Sequence, residues 1–227
     1  MNTVIQLIFN AILNGTPLMY GTVGEVLTEK SGNMNLGVEG MMYMGGALGL
    51  AGAFYYEKAA GASASGVVAV LLAILCAFLA GAVGALIFSF LTISLRTNQN
   101  VTGLALTTFG VGFGNFFGGS LIKLTGSEVP SIALSATSSY FSASLPFADK
   151  LGWFGKIFLS YGFLAYLAIA IALAVSYFLT HTRKGLQLRA VGESPATADA
   201  AGINITRYKY TATCLGSMIA GLGGLYY

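Results

Sequence analysis

The stretch from Thr182 to Tyr210 reads TRKGLQLRAVGESPATADAAGINITRYKY and separates two long apolar runs. It is the only long run dense in charge, holding five of the chain's eleven Lys and Arg residues: Arg183, Lys184, Arg189, Arg207 and Lys209. The flanking runs are too long for a small soluble domain and read as membrane segments. A basic loop between two such segments sets orientation, because Lys and Arg collect in cytoplasmic loops. The interior of the loop carries a second signal. Ser194 followed by Pro195 is a helix start, an N-cap and then proline in the first turn. Ala196 to Ala201 continues as helix, and Gly202 closes it. The loop 182–209 is therefore expected to be cytoplasmic, with one short helix, Pro195 to Ala201, held between basic arms.

Outward from the loop, composition agrees. Of 227 residues, 56% are hydrophobic and 8% charged, against about 25% charged in soluble domains. That deficit implies a lipid bilayer as the surroundings. The net charge of +3 is concentrated in one loop, so it reads as topology and excludes a nucleic-acid-binding surface. The 31 glycines suit close helix packing in a bilayer. Cys76 and Cys214 have no metal-like spacing and read as packing residues. The N terminus lacks the basic region of a signal peptide.

The spans follow in order. Val4 to Thr28 is apolar but broken by Gly15, Thr16 and Pro17. Its Gln6, Asn10 and Asn14 recur every four residues and share a helix face, which must meet protein or water. That face either bonds another helix or lines a solute path. Between Glu29 and Met44, Gly32, Gly37 and Gly40 argue against one straight helix. Asn33, Asn35 and Glu39 lie there at the edge of an apolar run, where an ionisable group is a functional hypothesis. Two readings stand: an interfacial turn capping two helix ends, or a broken helix facing a cavity. Met41 to Tyr56 is a glycine-rich span. Gly66 to Leu95 is one long tilted helix, ended by Arg96. Thr97 to Val101 is a polar turn, and Thr102 to Ile122 the next span. Its Phe109, Phe113, Phe116 and Phe117 either stack on a ring-bearing solute or face lipid and core. Residues 123–156, with Pro130, Pro146 and Trp153, read as an external loop carrying a short interfacial helix. Ile157 to Thr180 is a span ending at His181, an interfacial histidine. A last apolar run begins at Tyr210 and continues to Tyr227. The fold class is all-α, a polytopic membrane helix bundle of about six membrane segments, forming one transmembrane domain over residues 1–227.

Three stretches together resemble one family. Thr16 to Met42 (TPLMYGTVGEVLTEKSGNMNLGVEGMM) is similar to the N-terminal signature of ABC-importer permeases of the branched-chain amino acid and simple-sugar superfamily. Leu95 to Leu106 (LRTNQNVTGLAL) matches a second family stretch, and Gly185 to Ile203 (GLQLRAVGESPATADAAGI) a third. The likeness covers nearly the whole chain and looks closest to the nucleoside-type branch, which works with basic-membrane-protein lipoproteins. It implies a permease in the cell membrane that carries nucleosides or related small polar solutes. It also implies three protein partners: a cytoplasmic ATP-binding subunit, an extracytoplasmic substrate-binding lipoprotein, and a second permease copy or homologous permease. Pro195, Ala198, Asp199, Ala200, Ala201 and Gly202 then resemble the coupling helix that docks into the ATPase, with Arg189, Glu193 and Asp199 at its rim. Asn10, Asn14, Asn33, Asn35, Glu39, Phe109 and Phe113 are the candidate path residues. Family members usually run two or more helices past the point equivalent to Tyr227, so the chain is expected to be a fragment or a truncated product.

Other functions fit less well. Simple-sugar and branched-chain amino acid permeases share the scaffold and differ in substrate. A membrane-embedded enzyme needs clustered His, Asp or Glu, yet Glu25 and Glu39 lack a metal-like companion. No metal or cofactor is implied. No GxxxxGK[ST] loop occurs, so ATP hydrolysis falls to a partner. A passive channel gives the coupling-like loop nothing to do.

Overall fold

A proline inside a helix removes one backbone hydrogen bond and usually kinks or ends it, yet α1 runs unbroken over Asn2–Glu29 with Pro17 inside it. The computed structural model describes residues 2–125, 135–141 and 158–226. In it, the Thr16 and Thr22 hydroxyls donate to Ile12 O and Leu18 O at 2.8 Å on either side of the ring. Pro17 itself is buried. The break expected at Gly15–Pro17 is therefore absent, as proline is tolerated within helices packed in apolar surroundings.

The chain turns through Lys30–Gly37 and continues as α2 (Val38–Ala60), a 3₁₀ turn (Gly61–Ser63), and α3 (Gly66–Ser89). A π-helical turn, Phe90–Ser94, ends α3, and Arg96 follows in the left-handed region at φ 55°. Then come α4 (Gln99–Thr125), α5 (Ser135–Phe141), α6 (Phe163–His181), α7 (Arg183–Glu193), α8 (Pro195–Ala200) and α9 (Ile205–Tyr226). All regular structure among the described residues is helical.

Several boundaries differ from the sequence reading. α4 starts inside the expected Thr97–Val101 turn, because the Asn98 side chain accepts from the Asn100 and Val101 N–H groups and caps it. α6 starts at Phe163; Ile157, where the span is expected to begin, lies outside the described residues. The first basic arm is itself a helix, so the loop carries two helices rather than one. The second arm belongs to α9, since Asn204 caps that helix by accepting from Arg207 N at 2.9 Å. Of the expected external loop 123–156, the first three residues continue α4, which runs to Thr125, and α5 is the other described piece; Pro130, Pro146 and Trp153 lie outside the described residues. The Glu57 carboxylate accepts from both the backbone N–H and the hydroxyl of Thr137. That ties α5 to the end of α2.

The core is organised by α9, which packs against α1, α2 and α3. These crossings are backbone on backbone. A Cβ on Gly24 would sit 2.2 Å from Gly216 O, one on Gly45 2.4 Å from Gly221 O, and one on Gly81 2.4 Å from Ser217 O. Small residues let helices approach this closely, gaining van der Waals contact where no hydrophobic drive operates between helices. Larger side chains fill the remainder, in one cluster around Tyr20, Ala77, Ala168 and Leu222 and another around Met41, Ala85, Phe88 and Leu106. The Tyr20 hydroxyl donates to Leu164 O at 2.7 Å, holding α1 to α6.

The outer faces are apolar. Leu71, Leu75, Leu79 and Leu86 are exposed along α3, as are Ile169 and Leu173 along α6. Such faces are costly in water and fit hydrocarbon. Two described helices are long and apolar enough to cross a membrane on length and composition alone: Gly66–Ser94, with mean hydropathy 2.8, and Phe163–His181, with 2.2.

Candidate functional site

The basic loop folds onto one end of the bundle as a two-helix unit with defined punctuation. Thr182 caps α7, its hydroxyl accepting from Gly185 N at 3.0 Å. Gly185, Leu188 and Val191 form the buried face of α7. Leu188 packs with Leu27 of α1, Leu179 of α6 and Ala212 of α9. The Tyr208 hydroxyl donates to the Gln187 side chain, so α7 is fixed to three bundle helices.

Ser194 makes the elbow into α8. Its hydroxyl meets the Thr197 hydroxyl at 2.8 Å rather than capping a backbone N–H. Pro195 takes the first helical position, as expected. At the other end Gly202 N donates to Asp199 O at 2.8 Å and Ile203 N to Ala198 O at 3.0 Å. This is a Schellman closure, with Gly202 in the left-handed region at φ 76°. Of the six residues expected to form the coupling helix, Ala198 is turned inward at 3% exposure. Pro195, Asp199, Ala200, Ala201 and Gly202 are exposed. The helix thus presents a small, shallow surface on a rigid base. Glu193 is exposed beside it. Arg189 is not at the rim: it is half-buried and lines a groove against α1 and α6.

The Lys30–Gly37 turn lies under this unit and carries the polar residues noted in the sequence. Ser31, Asn33 and Asn35 are buried, Asn33 and Asn35 at 1% exposure. The hydrogen bonds of the turn reach three other helices. Asn33 Nδ2 donates to Thr213 Oγ1 of α9 at 3.2 Å. Asn35 N donates to Glu25 Oε1 of α1 at 2.8 Å, and Met34 N to Gln99 Oε1 of α4 at 2.7 Å. The Thr107 hydroxyl of α4 donates to Leu36 O at 2.8 Å. Asn35 Oδ1 accepts from Gly37 N at 2.9 Å and starts α2. Gly32, at φ 82°, faces Gly192 of α7, where an added Cβ would lie 2.4 Å from Lys30 O. The turn is thus a polar knot joining α1, α2, α4, α7 and α9. Among the described residues, Glu25 Oε2 and Asn33 Oδ1 are buried without a hydrogen-bond donor.

The other candidate path residues do not join this knot. Asn10 and Asn14 are exposed on α1, and Asn14 Nδ2 bonds Asn10 O of its own helix at 2.8 Å. Glu39 is exposed in the first turn of α2. Phe109 is 53% exposed on α4, with its ring 6.2 Å from that of Phe113. Glu25, Thr213, Gln99 and Thr107 were missed as members of the knot. Only Glu25 left a signal, as a carboxylate within an apolar run. Among the described residues no three His, Cys, Asp or Glu side chains gather into a metal-binding group.

An all-helical bundle with apolar outer faces and glycine-mediated crossings, carrying a short helix at its surface, fits a membrane-embedded protein. Comparison gives the family. The branched-chain amino acid transport system / permease component family matches residues 7–227, and the chain belongs to it. The guanosine ABC transporter permease protein NupQ of Bacillus subtilis is 30% identical over 214 residues, covering 94% of this chain and 64% of that protein. The nucleoside ABC transporter permease protein NupC of Lactococcus lactis is 30% identical over 228 residues, covering 100% of this chain and 68% of that protein. The putative glucose ABC transporter permease protein TsgC13 of Haloferax volcanii is 32% identical over 215 residues, covering 92% and 58%. The chain therefore spans about two thirds or less of these relatives. No solved structure matches.

Proposed function

We propose that this chain is the membrane-spanning permease subunit of an ATP-binding-cassette importer, carrying nucleosides or related small polar solutes. The observation that carries the proposal is α8: a capped, small-residue helix held out from the bundle on the fixed base of α7. In this reading residues 182–209 are cytoplasmic, residues 123–156 are external, and α1, α2, α3, α4, α6 and α9 are the six membrane segments. Pro195, Ala198, Asp199, Ala200, Ala201 and Gly202 dock into a groove of the ATP-binding subunit. Motion of α8 passes through α7 to the Lys30–Gly37 knot by the Gly192–Gly32 contact, and from there to α1, α2, α4 and α9. Tilting these helices opens the path to each side in turn.

The path residues divide. Asn33 and Asn35 belong to the buried knot. Asn10, Asn14, Glu39, Phe109 and Phe113 lie on open faces and line a path only where a second permease copy or a homologous permease packs against them. An extracytoplasmic binding lipoprotein delivers the solute. Identity to the named guanosine and nucleoside permeases supports the nucleoside reading, and the similar identity to a putative glucose permease supports a sugar alternative. Binding of radiolabelled guanosine or adenosine by the cognate lipoprotein separates them. Sugar binding without nucleoside binding moves the chain to the sugar branch.

A further inference from the structure

We propose that the groove between α1, α6 and α7 is a binding site for one anionic, phosphate-headed membrane lipid. The groove encloses about 280 Å³, walled by Val23 and Val26 of α1 and Ala172 and Val175 of α6, with Lys30 and Arg189 at one end. Its composition changes along its length. Val23, Val26, Ala172 and Val175 form the wall that faces the middle of the helices. Lys30, just past the end of α1, and Arg189 stand at the end where the basic loop folds back.

Arg189 Nε is buried with no hydrogen-bond partner among the described residues, although a sheltered guanidinium donor normally finds an acceptor. Lys30 has an exposed side chain at the same end. An amphiphile with a negative head and an apolar tail matches both halves at once: phosphate oxygens on Lys30 and Arg189, acyl chain along the valine and alanine wall. The guanidinium fork suits phosphate in particular. Basic pockets between membrane helices recognise anionic headgroups through the same chemistry. The groove opens to the outside of the described bundle, where Thr22, Val26, Ser176 and Thr180 are exposed, so a lipid enters sideways. The site is independent of which solute is carried.

The test is native mass spectrometry of the assembled, full-length importer released from nanodiscs containing phosphatidylcholine and phosphatidylglycerol. One phosphatidylglycerol per permease is expected to remain through delipidation, with phosphatidylcholine lost. Lys30→Gln and Arg189→Gln are each expected to lower retention about fivefold, and the pair about twenty-five-fold, from the strength of one cation–lipid contact. Lys30→Arg should retain the lipid. Val175→Trp, which fills the apolar wall and leaves both charges, should also expel it. Millimolar inorganic phosphate should not displace the lipid, because it lacks the chain. Equal retention of both lipids, no retained lipid, displacement by phosphate, or unchanged retention in the double variant overturns the site.

Discussion

Gly24 and Gly216 show what one hydrogen in place of a side chain does in this bundle. Each presents its α-carbon to the other's carbonyl, and a Cβ on Gly216 would sit 2.3 Å from Gly24 O. Neither partner is a flexible side chain, so the helices themselves must part. Gly216→Val is expected to destabilise the purified chain by about 3 kcal/mol or more, at the upper end of overpacking costs. Gly112→Ala, where nothing lies within 4 Å, should stay within about 0.5 kcal/mol. Thermal unfolding in detergent, followed by size-exclusion chromatography, reads both. The polar knot offers a second residue-scale test. Thr213→Val removes the acceptor of Asn33 Nδ2 and should cost about 0.6 to 2 kcal/mol, between the average for hydrogen bonds inside membranes and the penalty for an orphaned buried group. Asn33→Leu with Thr213→Val should recover part of that loss.

At the scale of the element, α8 was legible because its signals are local. A proline that takes the first turn and a glycine that accepts a left-handed backbone name the two ends of a short helix wherever they stand. Gly202→Ala forces a Cβ into that backbone at a cost of about 1–2 kcal/mol, so the last turn should fray. In a reconstituted importer it is expected to raise the ATP hydrolysed per solute moved, while Gly202→Asn, which tolerates the left-handed region, should stay close to wild type. What the sequence hid is equally physical. The first basic arm forms a helix because its face of Gly185, Leu188 and Val191 is buried against three other helices. Pro17 stays within α1 because packing supplies what the helix loses. The bonds of the knot join residues 65 and 180 positions apart. No local pattern encodes such pairings. The Asn10 and Asn14 periodicity was real, but spacing cannot say whether a face turns inward, and this one turns out.

The whole molecule is a bundle hung on α9, with the basic unit fixed to one end and apolar flanks around it. The proposed orientation, with the basic loop cytoplasmic, can be checked directly. After Cys76 and Cys214 are replaced by alanine, a cysteine at exposed Asp199 should react with a membrane-impermeant maleimide only in inside-out vesicles. Reaction in right-side-out vesicles would reverse the topology. Membership of the permease family establishes the class, and coupling through α8 is the use we propose for the fold. In the proposed assembly a second permease packs on the open faces carrying Asn10, Asn14 and Phe109. The measurement that bears most directly on coupling is solute uptake, with solute-stimulated ATP hydrolysis, by the assembled importer carrying Ala201→Trp or Asp199→Trp. Both positions are exposed, so the bundle should fold and its permease partner stay bound. If α8 docks into the ATP-binding subunit, a bulky ring at either position should weaken docking about thirtyfold, the scale of an interface hot spot, and uptake and hydrolysis should fall together. Uptake and stimulated hydrolysis at wild-type levels in both variants would contradict the coupling role.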